Sequence, residues 1–114
     1  MTSPITTHVL DTSLGQPAAG VPVTLEIRTG EEKWKELGRG VTDADGRANH
    51  LVPAGDLADG VYRLTFDTGA YFRSRQIEAF YPNVTVVFRV TDVRGHYHVP
   101  VLLNPYGYST YRGS

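Results

Sequence analysis

The chain contains no cysteine. That absence excludes a disulfide framework, a thiolate metal site and a catalytic thiol, so the fold must rest on apolar burial and backbone pairing. Nor is either charge in excess: eleven Lys and Arg stand against twelve Asp and Glu, for a net charge of −1. The basic residues are scattered instead of gathered in a stripe, which argues against nucleic acid or an anionic membrane as the main partner. No apolar run is long enough to span a bilayer, and the strongest, residues 84–90, is interrupted by Thr85 and Arg89. The opening Met-Thr-Ser-Pro-Ile-Thr-Thr-His has neither the basic start nor the apolar stretch of a secretory signal, so a cytoplasmic location is the expectation. With 114 residues there is room for one domain, expected over residues 1–114, and a chain of that size buries roughly two thirds of its unfolded surface.

Helical periodicity is also scarce. Only residues 70–79 suggest it, with Phe72, Arg75, Gln76 and Ala79 at helical spacing, enough for about two turns. Alternation of period two dominates elsewhere. Val21, Val23, Leu25 and Ile27 alternate with Pro22, Thr24, Glu26 and Arg28; Tyr62, Leu64 and Phe66, then Val84, Val86, Phe88 and Val90, repeat the pattern. Residues 5–11 read as a short strand with Ile5, Thr7 and Val9 on one side and Thr6, His8 and Leu10 on the other. A weaker strand is expected over residues 33–42, and loops over 12–20 and 53–60. Asp45-Gly46 marks the tip of a turn that delivers Arg47 to a further short strand. Short strands at intervals of about ten residues, with one short helix, predict an all-β, antiparallel β-sandwich.

Residues 95–114 depart most from what a small sandwich needs. They open as a strand, with Tyr97, Val99, Val101 and Leu103 on one face and His96, His98, Pro100 and Leu102 on the other. The chain then turns at Asn104-Pro105 and runs on through Tyr106, Tyr108, Tyr111, Arg112 and Ser114 without an aliphatic residue. An aromatic, hydrogen-bonding tail of this kind implies that the segment docks.

Several chemistries can be set aside. The four histidines form no His-x-x-x-His pair and have no cysteine beside them, so a metal site is not expected, and His50 and His96 read as surface hydrogen-bonding residues. Asp43, Asp45 and Gly46 begin like a calcium loop, but Ala48 and Ala54 stand where that loop needs glycine and glutamate. No serine sits in a Gly-x-Ser-x-Gly elbow. Histidines with an arginine and no thiol suit another scheme, in which an imidazole activates water and a guanidinium stabilises developing negative charge.

The runs His8-Val9-Leu10-Asp11-Thr12-Ser13-Leu14-Gly15, Thr42-Asp43-Ala44-Asp45-Gly46-Arg47, Phe80-Tyr81-Pro82, His96-Tyr97-His98-Val99-Pro100 and Tyr111-Arg112-Gly113-Ser114 closely resemble the 5-hydroxyisourate hydrolases, the transthyretin-related enzymes of urate breakdown. The likeness covers the whole chain, and the C-terminal tetrapeptide is its most specific part. The resemblance implies a transthyretin-like sandwich of two four-stranded sheets. It also implies a homotetramer with active sites at the dimer–dimer interface, and hydrolysis of 5-hydroxyisourate to 2-oxo-4-hydroxy-4-carboxy-5-ureidoimidazoline without metal or organic cofactor. By the same match His8, Arg47 and His98 align with the family's catalytic residues, His8 and Arg47 also contacting substrate, and Tyr111 and Ser114 with its substrate-binding motif. How the acid and base roles divide between the two histidines stays open. The rival readings are a transthyretin-like carrier of small molecules and a prealbumin-like binding module, neither of them catalytic.

Overall fold

The computed structural model describes residues 3–55 and 57–114. Met1 and Thr2, part of the stretch read for a leader, lie outside them, as does Asp56 of the loop expected over 53–60. The elements run β1 (Ile5–Asp11), β2 (Gln16–Pro17), β3 (Pro22–Gly30), β4 (Lys33–Val41), β5 (Arg47–Ala48), β6 (Gly60–Phe66), α1 (Thr68–Ser74), β7 (Val84–Val90), β8 (Tyr97–Asn104) and β9 (Gly107–Thr110). They form two sheets. One has the order β4-β3-β6-β7, and the other β2-β1-β8-β9, with β5 paired to β1.

The predicted alternation decides which face of each sheet is buried. Ile5 and Val9 of β1, Val23 and Leu25 of β3, Leu64 and Phe66 of β6, Val84 and Val90 of β7, and Val101 and Leu103 of β8 are nearly or fully buried between the sheets. Each such side chain taken out of water stabilises the fold by about 1.5–3 kcal/mol. A one-residue slip in any of these strands would send its whole apolar set outward, so the pattern also fixes register.

The sandwich is mostly antiparallel, with one exception that matters for the site: β1 and β8 pair in parallel, Thr6 against His98 and His8 against Pro100. Parallel neighbours cannot be joined by a hairpin, and here the whole second sheet and the helix intervene between them in sequence. The sheet that holds this pair also carries two-residue strands that the reading of four strands per sheet did not separate.

The helix starts earlier and ends sooner than its spacing predicts. Asp67, read as part of a closing turn, is its N-cap, the side chain accepting a hydrogen bond from the Ala70 amide, and Thr68, Gly69, Tyr71 and Phe72 are its buried residues. Gln76 adopts a positive φ of 60°, so residues 75–79 do not continue the helix. The Tyr71 hydroxyl donates to Asp11 Oδ2 at 2.7 Å, and the Ser13 amide donates to Asp11 Oδ1 at 3.0 Å. This network satisfies a fully buried carboxylate and ties α1 to the end of β1; burial, and then the bond to Asp11, pushes the Tyr71 phenol up to about 12.

Candidate active site

The site forms on the outer face of the sheet containing β1, β8 and β5. Because side chains alternate along a strand, burying Ile5, Thr7 and Val9 inward leaves Thr6 and His8 on that face. The same rule on β8 turns Tyr97, Val99 and Val101 inward and His98 outward, where it is half-buried.

Arg47 is delivered by a turn with no freedom to vary. Gly46 has φ +76°, and a Cβ there would come within 2.4 Å of the Val9 carbonyl oxygen, so only glycine fits. The Asp43 side chain accepts from the amides of Asp45 and Arg47 at 2.9 and 3.0 Å. These bonds, the Arg47 amide first, hold its carboxyl below the usual carboxylate range. The Val9 amide then donates to the Gly46 carbonyl at 2.7 Å. The turn is thereby sewn to β1, and the register sets Arg47 directly across from His8.

The C-terminal segment completes the arrangement. Asn104 to Gly107 form the turn of a hairpin, and β9 returns along β8 with Val101 opposite Thr110. Beyond β9 the Gly113 amide donates to the His98 carbonyl at 2.8 Å, making an isolated bridge between these two residues. A Cβ on Gly113 would lie 2.6 Å from His98 Cδ2 and 3.1 Å from Pro100 Cγ. The missing side chain is what lets the tail lie against the imidazole. The Arg112 guanidinium sits 4.5 Å from the centroid of the Tyr97 ring, a distance at which cation and ring attract. The tail thus docks, as expected, but through a hairpin strand that its composition did not announce.

His8, Arg47 and His98 are therefore brought to one face, with residues 111–114 along its edge. Tyr111 is exposed and, with His98 and Arg112, borders an open groove of about 460 Å³ whose other wall is Val86 and Phe88. Ser114 is exposed beside Gly113. His50 is exposed as well, in the segment after β5. Among the described residues no three His, Asp or Glu side chains converge as a metal shell would.

Burial, and then the positive charges of Arg47, His8 and His96, hold His98 below the ordinary imidazole range. It is consequently neutral near pH 7, the form able to accept a proton. Its orientation is set by a residue the sequence reading did not single out: Thr6 Oγ1 lies 2.8 Å from His98 Nδ1 and 3.3 Å from His96 Nε2. The alternation that placed Thr6 on the face of His8 was the available signal, but the parallel pairing that brings it beside His98 is not visible in either strand alone.

The geometry can be compared with known proteins. A model of the HIUase/Transthyretin family matches residues 5–113. The 5-hydroxyisourate hydrolase of Caulobacter vibrioides is 48% identical over 117 residues, spanning 98% of this chain and 99% of that protein. The structure of Klebsiella pneumoniae 5-hydroxyisourate hydrolase is similar at a TM-score of 0.82 with 41% identity over 100% of both chains. Transthyretin from Sparus aurata reaches a TM-score of 0.90 with 33% identity over 96% of both chains. Sequence and fold agree, and the chain belongs to the HIUase/Transthyretin family.

Proposed function

We propose that the protein is a hydrolase that opens 5-hydroxyisourate with water, giving 2-oxo-4-hydroxy-4-carboxy-5-ureidoimidazoline in urate degradation. The observation that carries this reading is the convergence of two half-buried histidines and an exposed arginine on one face, His8 opposite Arg47 and His98 beside Thr6. Relatives named for this activity share more of the sequence than the transthyretin does, although the transthyretin fold superposes as well. Fold alone does not choose between enzyme and carrier. Three ionisable side chains on the face make it a poor slot for an apolar ligand and a good one for a flat molecule rich in carbonyl and N–H groups.

In the proposed mechanism His98, neutral and held at Nδ1, accepts a proton from the attacking water at Nε2. His8 orients the water and protonates the departing ring nitrogen. Arg47 binds the lactam carbonyl through its planar fork and stabilises the tetrahedral oxyanion. Tyr111 and Ser114 contact the substrate from the docked tail. No metal or organic cofactor takes part in this scheme.

The working unit in this proposal is a homotetramer in which a second copy closes the face. Two observations support it. The half-buried Leu10 and Leu102 lie on the same outer face as His8 and His98, apolar surface that a second copy would cover. Among the described residues β7 and β9 end their sheets with unpaired edges carrying the exposed Val87 and Tyr108, and such edges invite pairing.

The test is an absorbance time course in which urate oxidase generates the unstable substrate from urate in place. The intermediate is expected to decay faster with the protein than with heat-killed protein. Decay at the spontaneous rate in both would sink the assignment.

A further inference from the structure

The Thr6 hydroxyl has a buried position and two imidazoles in reach, and the proposed hydrolysis uses it only as a hold on His98 Nδ1. Thr6 is 6% exposed, on the outer face of β1, and its Oγ1 stands between His98 Nδ1 at 2.8 Å and His96 Nε2 at 3.3 Å. A hydroxyl carries one proton and two lone pairs. It therefore cannot donate to both rings at once, and whichever ring it donates to decides what the other must do.

We propose that Thr6 and His96 are positioning residues that select the tautomer of His98. When His96 is neutral and accepts at Nε2, the Thr6 O–H donates to it, and the Thr6 oxygen accepts from His98 Nδ1–H. The lone pair of His98 then lies at Nε2, ready to take a proton from water. When His96 carries a proton on Nε2 it donates to Thr6, the hydroxyl turns round and donates to His98 Nδ1, and the proton of neutral His98 moves to Nε2. His98 in that form has no lone pair to offer the water. His96 is exposed, and its protonation state reaches His98 through a single hydroxyl.

Other charges bear on the pair from each neighbouring element: His8 from β1 and Arg47 from β5 face His98 together with His96 itself. On the segment leading to His96, the Asp92 carboxylate accepts from the Arg94 amide at 3.0 Å. Among the described residues neither His8, Arg47 nor Asp92 has a hydrogen bond to Thr6 Oγ1, and the hydroxyl links the two rings directly.

The inference rests on His98 being the residue that activates water, and its test separates the two ideas. Imidazole nitrogen shifts of ¹⁵N-labelled protein report the tautomer of His98 without any substrate. Near pH 7.5 the unsubstituted protein is expected to hold His98 with the proton on Nδ1. Thr6→Val, which keeps the shape and removes the hydroxyl, should abolish that preference and lower kcat about tenfold or more with KM within about twofold. Thr6→Ser should restore both the tautomer and the rate. His96→Gln, at an exposed position, should leave the fold intact and change the His98 tautomer preference read from the same nitrogen shifts. Unchanged His98 shifts and an unchanged pH profile in Thr6→Val would overturn the proposal, as would equal losses in Thr6→Val and Thr6→Ser. If the unsubstituted protein fails to turn over 5-hydroxyisourate, the functional assignment falls and the nitrogen shifts still decide this one.

Discussion

The two outer faces of the sandwich treat their charges in opposite ways. On the β4-β3-β6-β7 sheet, charged groups satisfy one another: Arg63 Nε donates to Glu26 Oε1 at 2.9 Å, its guanidinium stacks 4.2 Å from the Trp34 ring centroid, and Arg39 pairs with Glu36. On the opposite sheet, Arg47, His8 and His98 are set side by side by strand register, and both ion pairs found among the described residues lie elsewhere. Asp43 is the carboxylate whose charge Arg47 and His8 feel, and a cluster of ionisable groups left outside the ion pairs of a fold is a candidate for ligand binding. In the proposed reading the first face is scaffold and the second carries the candidate site.

Breaking the site face should give the largest effect. His98→Ala or Arg47→Ala is expected to lower kcat/KM about 10²–10⁴-fold, while the melting temperature stays close to that of the parent, since neither side chain enters the core cluster. Steady-state kinetics and a thermal melt check both halves. A variant that loses its fold along with its activity would contradict the separation of roles between the faces.

Gly113→Ala tests the contact between tail and imidazole and should rank next. The added methyl would stand 2.6 Å from His98 Cδ2, closer than any real contact, so either the ring or the tail must move. A displacement of that order in a reacting group costs about 10–100-fold in rate. Circular dichroism should remain that of the parent, because the β8–β9 pairing from Val101 to Asn104 does not involve residue 113.

How far this contrast could be read from sequence depends on the range of the interactions involved. Period-two alternation is local, so β1, β3, β6, β7 and β8 and their inward faces were legible, and so was the Asp45-Gly46 turn that presents Arg47. The hairpin strand β9 was not, because Tyr108, Ser109 and Thr110 face outward or along an edge and show no buried series. The start of α1 was missed because Asp67-Thr68-Gly69 has the composition of a turn, and only the burial of Thr68 and Gly69 against the sandwich makes it a helix. The candidate site residues His8, Arg47, His98, Tyr111 and Ser114 came from resemblance. The role of Thr6 needed the parallel β1–β8 register, which joins residues 92 positions apart.

The pH profile sharpens the comparison at smaller amplitude. His98 is held below the ordinary imidazole range chiefly by burial, then by Arg47, His8 and His96. Its neutral form should thus persist to more acidic pH than an unperturbed histidine, whose pKa is about 6.5. The acid limb of kcat/KM attributable to His98 lies correspondingly lower. Arg47→Gln removes one of the opposing charges, so the His98 ring, followed by proton NMR, should titrate at higher pH than in the parent while burial still keeps it below the ordinary value. The stability consequence has a definite sign. The unfolded chain takes up this proton more readily than the folded one, so the His98 contribution destabilises the fold as pH falls through about 6.5.

The smallest effect belongs to the scaffold face. Glu26→Gln keeps the shape and a hydrogen-bond acceptor for Arg63 but removes the ion pair, which is partly exposed, with side chains 29% and 20% accessible. Pairs of this kind contribute about 0.2–1 kcal/mol, and the stacking of Arg63 on Trp34 survives the change. Chemical denaturation should therefore register a loss of at most about 1 kcal/mol, with kcat and KM both unchanged. Glu26 sits on β3, in the sheet that contributes neither His8, Arg47 nor His98. A clear loss of turnover in Glu26→Gln would mean that charge on one face is felt on the other through the core, and the division into scaffold and site would have to be abandoned.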